Sequence, residues 1–514
     1  MLESGRVKFK PYRQNQAYLL PPSLEEMIEK NHPVRIVSSV IDKINIEKIE
    51  RQYKGGGTSS YSPRMLLKVL VYSYIKNIYS SRKIEEQVKE NIHMMWISGM
   101  NKPDHHTINR FRSERLKESL RDIFSEVVLL LSENGQLSIK EIYVDGTKIE
   151  ANANKYTFVW GKTVNRNKER IKEQLKELWS YTQRVAEKEK EENEEINFEE
   201  IDPQKVQETI EKIDKALQGK NISSKIKQKI VYAKKHWTKS IEKYEVEEEK
   251  LKGRNSYSKT DEDATFMRMK EDHMMNGQLK AGYNVQMSSN NQYVVNYSIH
   301  QKPGDTTTLP EHIEKHKAMY GRYPEVAVAD AGYGSEENYN YLEERKVAGY
   351  LKYNTFDREQ KKTRIDKKPF EAWKLHYNKE KDCYYCPMGQ TMEHIGETTR
   401  HTENNYERKL SRYQAKRCDG CPVRGVCHNQ AGNRIIEVSH KGNQLRRKAR
   451  EKLESEIGIS YKKKRSIEIE PVFGNIKQNK NFRRFLLRGI TKVGVEIGLI
   501  AMAHNLTKWA ATAA

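Results

Sequence analysis

Two spacings of apolar residues alternate along this chain, and the changes between them divide it. In 62–75, Leu66, Leu67, Leu70 and Tyr74 share one helical face, behind Ser62 as N-cap and Pro63 in the first turn. Residues 81–88 carry a second short helical pattern. A third follows the turn at 102–104, with Ile108, Phe111, Leu116, Leu120, Ile123 and Val127 at helical spacing. Asn109, Arg110 and Arg112 are expected on its outer face, which suits either a helix-turn-helix or a plain helical bundle. Ahead of these, 1–60 is basic and polar, with short helices expected in 23–49 and a flexible break at 55–57.

Strand patterns come next. The apolar run in 138–147 closes on Asp145 and Gly146, which places Asp145 at a strand end or in an Asp-Gly hairpin turn. Segments 281–288 and 292–299 flank a polar turn and predict a β-hairpin. A helix is expected over 309–320, and a buried strand over 325–330 carries Asp330 at its C-terminal end, before a glycine-rich turn. A helix over 335–345 and a strand over 347–353 complete an α/β (α+β mixed) pattern around a mixed sheet. Within it, 163–252 is dense in charge, with sparse apolar residues such as Ile171, Leu175, Ile210 and Leu217. It reads as two or three long exposed helices, an arm inserted in the fold.

Near the C-terminal side, 467–477 reads as the first turns of a helix. Ile469, Val472, Phe473 and Ile476 form its buried stripe, and Pro471 is tolerated only near a helix start. Glu470 and Lys477, seven positions apart, fall on one face. An apolar helix over 491–509 follows.

Composition narrows the function. The chain has 514 residues, a formal net charge of +22 and a pI near 9.4, so nucleic acid is the default partner. No apolar run reaches transmembrane length: the stretch at 493–503 is short and broken by Glu496 and two glycines. Without an apolar signal core as well, the protein is expected in the cytoplasm, associated with the nucleoid, with no membrane partner. The five cysteines are confined to 383–427, which does not suit a secreted disulfide framework. Cys383, Cys386, Cys418 and Cys421 form two Cys-x-x-Cys pairs, with Cys427 as an alternative ligand, so a structural Zn²⁺ or reduced free thiols are both open. Arg412, Lys416, Arg417 and Arg424 make this region basic.

Three acidic residues remain at the ends of apolar runs: Asp145, Asp330 and Glu470. Brought together, they would repel strongly unless cations lay between them. Hard oxygen ligands suit Mg²⁺ or Mn²⁺, and two such ions flanking a phosphate favour in-line displacement. In so basic a chain the natural substrate is a phosphodiester in DNA.

The residues around these acids resemble a known family. Tyr143-Val-Asp-Gly-Thr147, Ala329-Asp-Ala-Gly-Tyr-Gly334 and Glu470-Pro-Val-Phe-Gly-Asn-Ile-Lys477 are similar, in that order, to the catalytic blocks of bacterial DDE insertion-sequence transposases. The segment 101–112 is similar to their N-terminal domain, and the paired-cysteine insertion is a familiar feature of the group numbered eleven eighty-two. The resemblance implies an RNase H-like mixed sheet with flanking helices. It implies that Asp145, Asp330 and Glu470 hold Mg²⁺ or Mn²⁺ as two ions, and that Lys477 contacts phosphate. The partners it implies are double-stranded DNA, as terminal inverted repeats and target, and a second copy of the chain in a synaptic complex. Strand cleavage would be followed by attack of the freed 3′-hydroxyl on target DNA. The alternatives are a catalytically silent repressor and an RNase H-like nuclease without strand transfer.

Relatives often carry Tyr-x₂-Arg-x₃-Glu-x₆-Lys. Here each of the first two steps is one residue longer, which puts Arg465 one position and Tyr461 two positions further out, and on a continuous helix Arg465 would lie well round from Glu470. Glu468 is a rival ligand, but Asn475 stands seven residues after it, which favours Glu470. The expected organisation is a basic segment (1–60), a helical DNA-binding domain (61–135), a catalytic core in three parts (136–160, 256–354 and 456–514), the arm (161–255) and the cysteine insertion (355–455).

Overall fold

The computed structural model describes residues 20, 22–53, 60–186, 197–199, 201–269, 278–360 and 369–513. The expected break at 55–57, the first 19 residues and positions 187–196 of the arm lie outside these. The chain begins with helices α1 (Pro33–Lys43), α2 (Pro63–Ile75), α3 (Ser81–Glu90), α4 (Ile92–Ile97), α5 (His105–Arg110) and α6 (Leu120–Glu133). Ser62 caps α2 by accepting from the Met65 amide, and Asp104 caps α5 by accepting from Thr107. The single helix expected after 104 is interrupted. A π-helical turn over Phe111–Arg115 and a bend before Leu120 separate α5 from α6.

That interruption changes the phase of the helix and corrects the reading of Arg112. Asn109 and Arg110 are exposed, but Arg112 is only 2% exposed. It points inward and donates to the Tyr79 carbonyl at 2.6 Å and to the Tyr74 hydroxyl at 3.4 Å.

Strand β1 (Glu141–Glu150) opens the central sheet, and β2 (Thr265–Arg268), β3 (Leu279–Asn290), β4 (Tyr293–His300), β5 (Val326–Ala329) and β6 (Ala348–Leu351) complete it among the described residues. The strand order is β4–β3–β1–β5–β6, with β2 sharing the outer edge of β3. β3 and β4 form the expected hairpin. β1 runs antiparallel to β3 and parallel to β5, and β5 is parallel to β6. Parallel strands are buried on both faces, as the consecutive buried residues Ile142, Tyr143 and Val144 require. This curled mixed sheet is consistent with an RNase H-like α+β fold.

The arm leaves the sheet after β1. Its described part is α7 (Gly161–Ala186), α8 (Pro203–Leu217) and α9 (Ser224–Leu251), which bury Leu175, Leu178, Ile210, Ile213, Trp237 and Ile241 against one another. Two short strands, Phe158–Trp160 and Ser256–Ser258, pair at its base. After β4 come α10 (Leu309–Tyr320) and, beyond β5, α11 (Glu336–Glu344). The cysteine region, for which no strands were expected, is an antiparallel five-stranded sheet over 377–438. It is followed by α12 (His440–Glu454), α13 (Glu456–Glu468), α14 (Glu470–Gly474) and α15 (Ile490–Ala513).

Helix α15 joins the halves of the molecule. It packs on β4 and also on α1, α2 and α6, so the N-terminal helices and the sheet share one hydrophobic core. Glu496, in the middle of α15, is fully buried and accepts from the amides of Leu486 and Leu487 at 3.0 and 2.8 Å. Helices α12 and α13 pack against the β5–β6 side. No helix among the described residues is long and apolar enough to cross a membrane.

His504 on α15 bonds through Nε2 to the Gln292 carbonyl and through Nδ1 to the Asn475 amide, both at 2.8 Å. Burial holds its pKa down to about 4, and does the same to His316 on α10. Both imidazoles stay neutral in the folded state while the unfolded chain takes up protons below about pH 6.5. Stability is therefore expected to be full above that pH and to fall as pH drops toward 4. Denaturant unfolding across this range should show the slope, and His504→Gln should flatten it by about one proton.

Candidate active site

The register between β1 and β5 sets the site. Val144 lies opposite Ala329 in a parallel pair, so Asp145 and Asp330 are the next residues on neighbouring strands, whose spacing is about 4.8 Å. Asp330 sits at a strand end, as expected. Asp145 does not: β1 continues through Glu150, and no hairpin turn forms at Asp145-Gly146. It is β5 that stops at this level, which leaves Asp145 facing the opening beyond its neighbour.

The turn after Asp330 is drawn tightly inward. Asp330 Oδ1 accepts from the Gly332 amide at 2.9 Å. At Gly334 a Cβ would stand 2.0 Å from the Lys352 carbonyl oxygen, so no larger residue fits without moving backbone. Tyr333 is thereby buried beneath the carboxylates and donates its hydroxyl to Gln286 Oε1. Burial raises its pKa far above the usual phenol value, and the charges of Asp305, Asp145 and Asp330 add to this while Arg465 opposes it.

Asp305 is the residue that sequence reasoning missed. It lies in the loop between β4 and α10, and its Oδ1 accepts from Asn284 Nδ2 and Gln286 Nε2, both at 2.8 Å. The loop is held by the Thr306 hydroxyl, which donates to the Gly332 carbonyl at 2.8 Å. A Cβ at Gly146 would be 2.6 Å from Asp305 Oδ1, and one at Gly332 would be 3.0 Å from Asp330 Oδ1 and 3.9 Å from Asp305 Oδ2. The two glycines thus make room for a fourth carboxylate. The signal in the sequence was only that Gly follows or nearly follows each strand-borne Asp.

Glu470 arrives on a broken helix. Helix α13 stops at Glu468, Ile469 keeps right-handed helical angles with a wide φ (φ −102°, ψ −33°), and Glu470 starts α14 with Pro471 behind it. The missing N–H of Pro471 makes the interruption inexpensive. The break brings Arg465 to the site, where a continuous helix would have turned it away. Its Nη2 is 3.2 Å from Glu470 Oε1 and its Nη1 is 3.6 Å from Asp145 Oδ2. The expected stripe is present, with Ile469, Val472 and Ile476 buried and Phe473 partly so. Lys477 sits in a π-helical turn over Asn475–Asn479 and is 7% exposed.

Three other candidates have structural partners. Glu468 accepts from the Gln292 amide at 2.8 Å, at the tip of the β3–β4 hairpin, which takes this rival carboxylate away from the site. Tyr461 bonds to Glu141 Oε2 at 3.2 Å and packs on Tyr143 and Tyr350, bracing α13 on the sheet. Arg110 is exposed and pairs with Glu114 at 3.3 Å.

Among the described residues, no three His, Cys, Asp or Glu side chains stand close enough to hold a metal ion. The carboxylates are gathered around the Arg465 guanidinium instead. The same holds for Cys383, Cys386, Cys418, Cys421 and Cys427, all free thiols. Cys418 Sγ accepts from the Arg434 amide at 3.3 Å and Cys427 Sγ from its Nη1 at 2.9 Å.

Comparison with known families bears on this geometry. Residues 385–510 match a family model described as Transposase DDE domain, and residues 22–114 match one described as Transposase domain (DUF772). Together they support a DDE insertion-sequence transposase. No curated protein and no solved structure matches the chain. The DDE match contains Glu470, Arg465, Lys477 and four of the cysteines, and the other contains Asn109, Arg110 and Arg112. Asp145, Asp330 and Asp305 fall between the matched segments, so their connection with the transposase site rests on the strand register and the contacts just described.

The closeness of Gly334 to Lys352 gives a test of how the Asp330 turn is held. Gly334→Ala should lower stability by about 1–3 kcal/mol through overpacking against backbone, measured by denaturant unfolding.

Proposed function

We infer that this transposase binds the terminal inverted repeats of its own insertion sequence, of the group numbered eleven eighty-two, and cuts and joins DNA strands by a DDE mechanism. The observation that carries this reading is the union of Asp145 and Asp330, in register on parallel strands, with Glu470 through a single guanidinium. Carboxylate oxygens on three separate elements, two of them already facing one positive charge, suit a hard divalent cation. Asp145, Asp330 and Glu470 would hold Mg²⁺ or Mn²⁺, as two ions. When bound, they would supply charge stabilisation for the attacking and leaving oxygens of a phosphodiester.

The protein's own part is positioning. The parallel register fixes two carboxylates without loop freedom. The Ile469 break delivers Glu470, and the polar floor of Tyr333, Gln286, Asn284 and Asp305 keeps the site rigid from below. Lys477, which the π-helical turn after α14 takes out of the helix that carries Glu470, would contact phosphate near the cut end. Asn109 and Arg110, exposed on the N-terminal helices, are the side chains available there to DNA, whereas Arg112 serves the core. The net charge of +22 would draw DNA to either region. Joining two element ends calls for a homodimer with DNA bound, working at the nucleoid.

Cleavage of a labelled duplex carrying the DNA that flanks the gene tests this directly. Wild type should cut only with Mg²⁺ or Mn²⁺. Asp145→Asn and Asp330→Asn should each lower cleavage by more than about 100-fold while leaving end binding within a few-fold. Salt-sensitive binding with no cleavage by any of the proteins would point to a repressor instead. Glu470→Gln should also be inactive, whereas Glu468→Gln, which keeps an acceptor for Gln292, should retain cleavage. The reverse result would exchange the roles of these two carboxylates.

A further inference from the structure

Arg465 stands among the carboxylates in a way unlike Arg254. Arg254, also half-buried, donates to the carbonyls of Lys250, Leu251, Glu262 and Asp263, at 2.5 to 2.9 Å. Such saturation by backbone acceptors marks an arginine that stays where it is. Arg465 has no comparable set. Its side chain is 17% exposed and spans Asp145, itself 13% exposed, and Glu470. Its Nη1 is buried without a hydrogen-bond partner, since 3.6 Å to Asp145 is too long for one. A buried donor without an acceptor is costly, so the single hydrogen bond from Nη2 to Glu470 Oε1, at 3.2 Å, and the charge of the two carboxylates keep this guanidinium in place.

Its position also depends on a local irregularity. On an unbroken helix, residues five apart point about 140° from each other. Arg465 and Glu470 meet across the interruption at Ile469. The result is one positive group between two of the carboxylates that, on the reading above, hold divalent ions. A guanidinium and an ion cannot both take the same carboxylate oxygens.

We propose that Arg465 is a resident counter-cation, which neutralises Asp145 and Glu470 in the ion-free protein and competes with the divalent ion for them. The inference rests on the proposed ion site. It gives Arg465 a role before DNA is present, separate from any later contact with phosphate, to which its planar fork is suited. It also accounts for carboxylates that are already gathered yet not closed on one point.

The test is Mn²⁺ binding to the full chain without DNA, followed by paramagnetic resonance of the free ion or by calorimetry. Arg465→Gln should bind Mn²⁺ on the order of tenfold more tightly than wild type, because a competing charge has gone. Arg465→Lys, which keeps the charge without the fork, should fall between them, and it carries the test with the same sign if the glutamine variant does not fold. Unchanged or weaker binding in both variants would overturn the proposal, and would mean that Arg465 positions the carboxylates for the ion instead. Asp330→Asn is the control for the site itself. Mn²⁺ binding that is absent from every protein, or unaltered in Asp330→Asn, would remove the ion site and the proposal together.

Discussion

The parallel pairing of β1 with β5 is the constraint from which the site is built. Two buried strands, held side by side by backbone hydrogen bonds, reach the same level with Val144 opposite Ala329. Whatever residue follows on each strand must appear beside the other, and here both are aspartates. The surrounding features adapt to that pair. The Gly332–Gly334 turn tucks Tyr333 beneath it, the loop after β4 brings Asp305 against Gly146, and the broken helix carries Glu470 and Arg465 over it. Register is hard to slip here, because a one-residue shift would exchange the side chains packed against the two faces of the sheet.

Much of this was legible in the sequence wherever a pattern was local. The run that ends at Asp330 was read correctly because apolar residues stop where the strand stops. Asp145 was placed at a strand end wrongly, because what ends at its level is the neighbouring strand, which a single run cannot reveal. Arg112 and Arg465 failed for one shared reason. Helical phase was carried across 111–115 and 469, and a π turn or a break shifts every later residue around the axis. Asp305 could not be found, since a lone acid in a Gly-Asp-Thr loop acquires meaning only from Asn284, Gln286 and the two glycines it touches. The strand at 391–401 was hidden by charge, for most of it is exposed and leaves no alternation to read.

The relation between the N-terminal helices and the sheet is closer than a division into domains would suggest. Arg112, Tyr74 and Glu496 form a buried polar group in which each member comes from a different part of the chain. Removing one partner would strand the others without acceptors or compensating charge. The exposed side chains Asn109 and Arg110 are therefore borne by helices that are joined to the central sheet through α15 and one shared core. The arm is the contrary case. It has its own small core and enters and leaves through two paired strands, so its length can vary without disturbing β1.

The same central helix sets an order of events during synthesis. Tyr74 meets Glu496 across 422 residues of sequence, and α2 lies against a helix that begins only at Ile490. At roughly 5–20 residues per second, a ribosome takes about 20–80 seconds to travel that far. Throughout this interval α1, α2 and α6 exist with the apolar surface meant for α15 uncovered. A newly made copy thus passes through a long period with an open, adhesive face, which is covered only when α15 emerges.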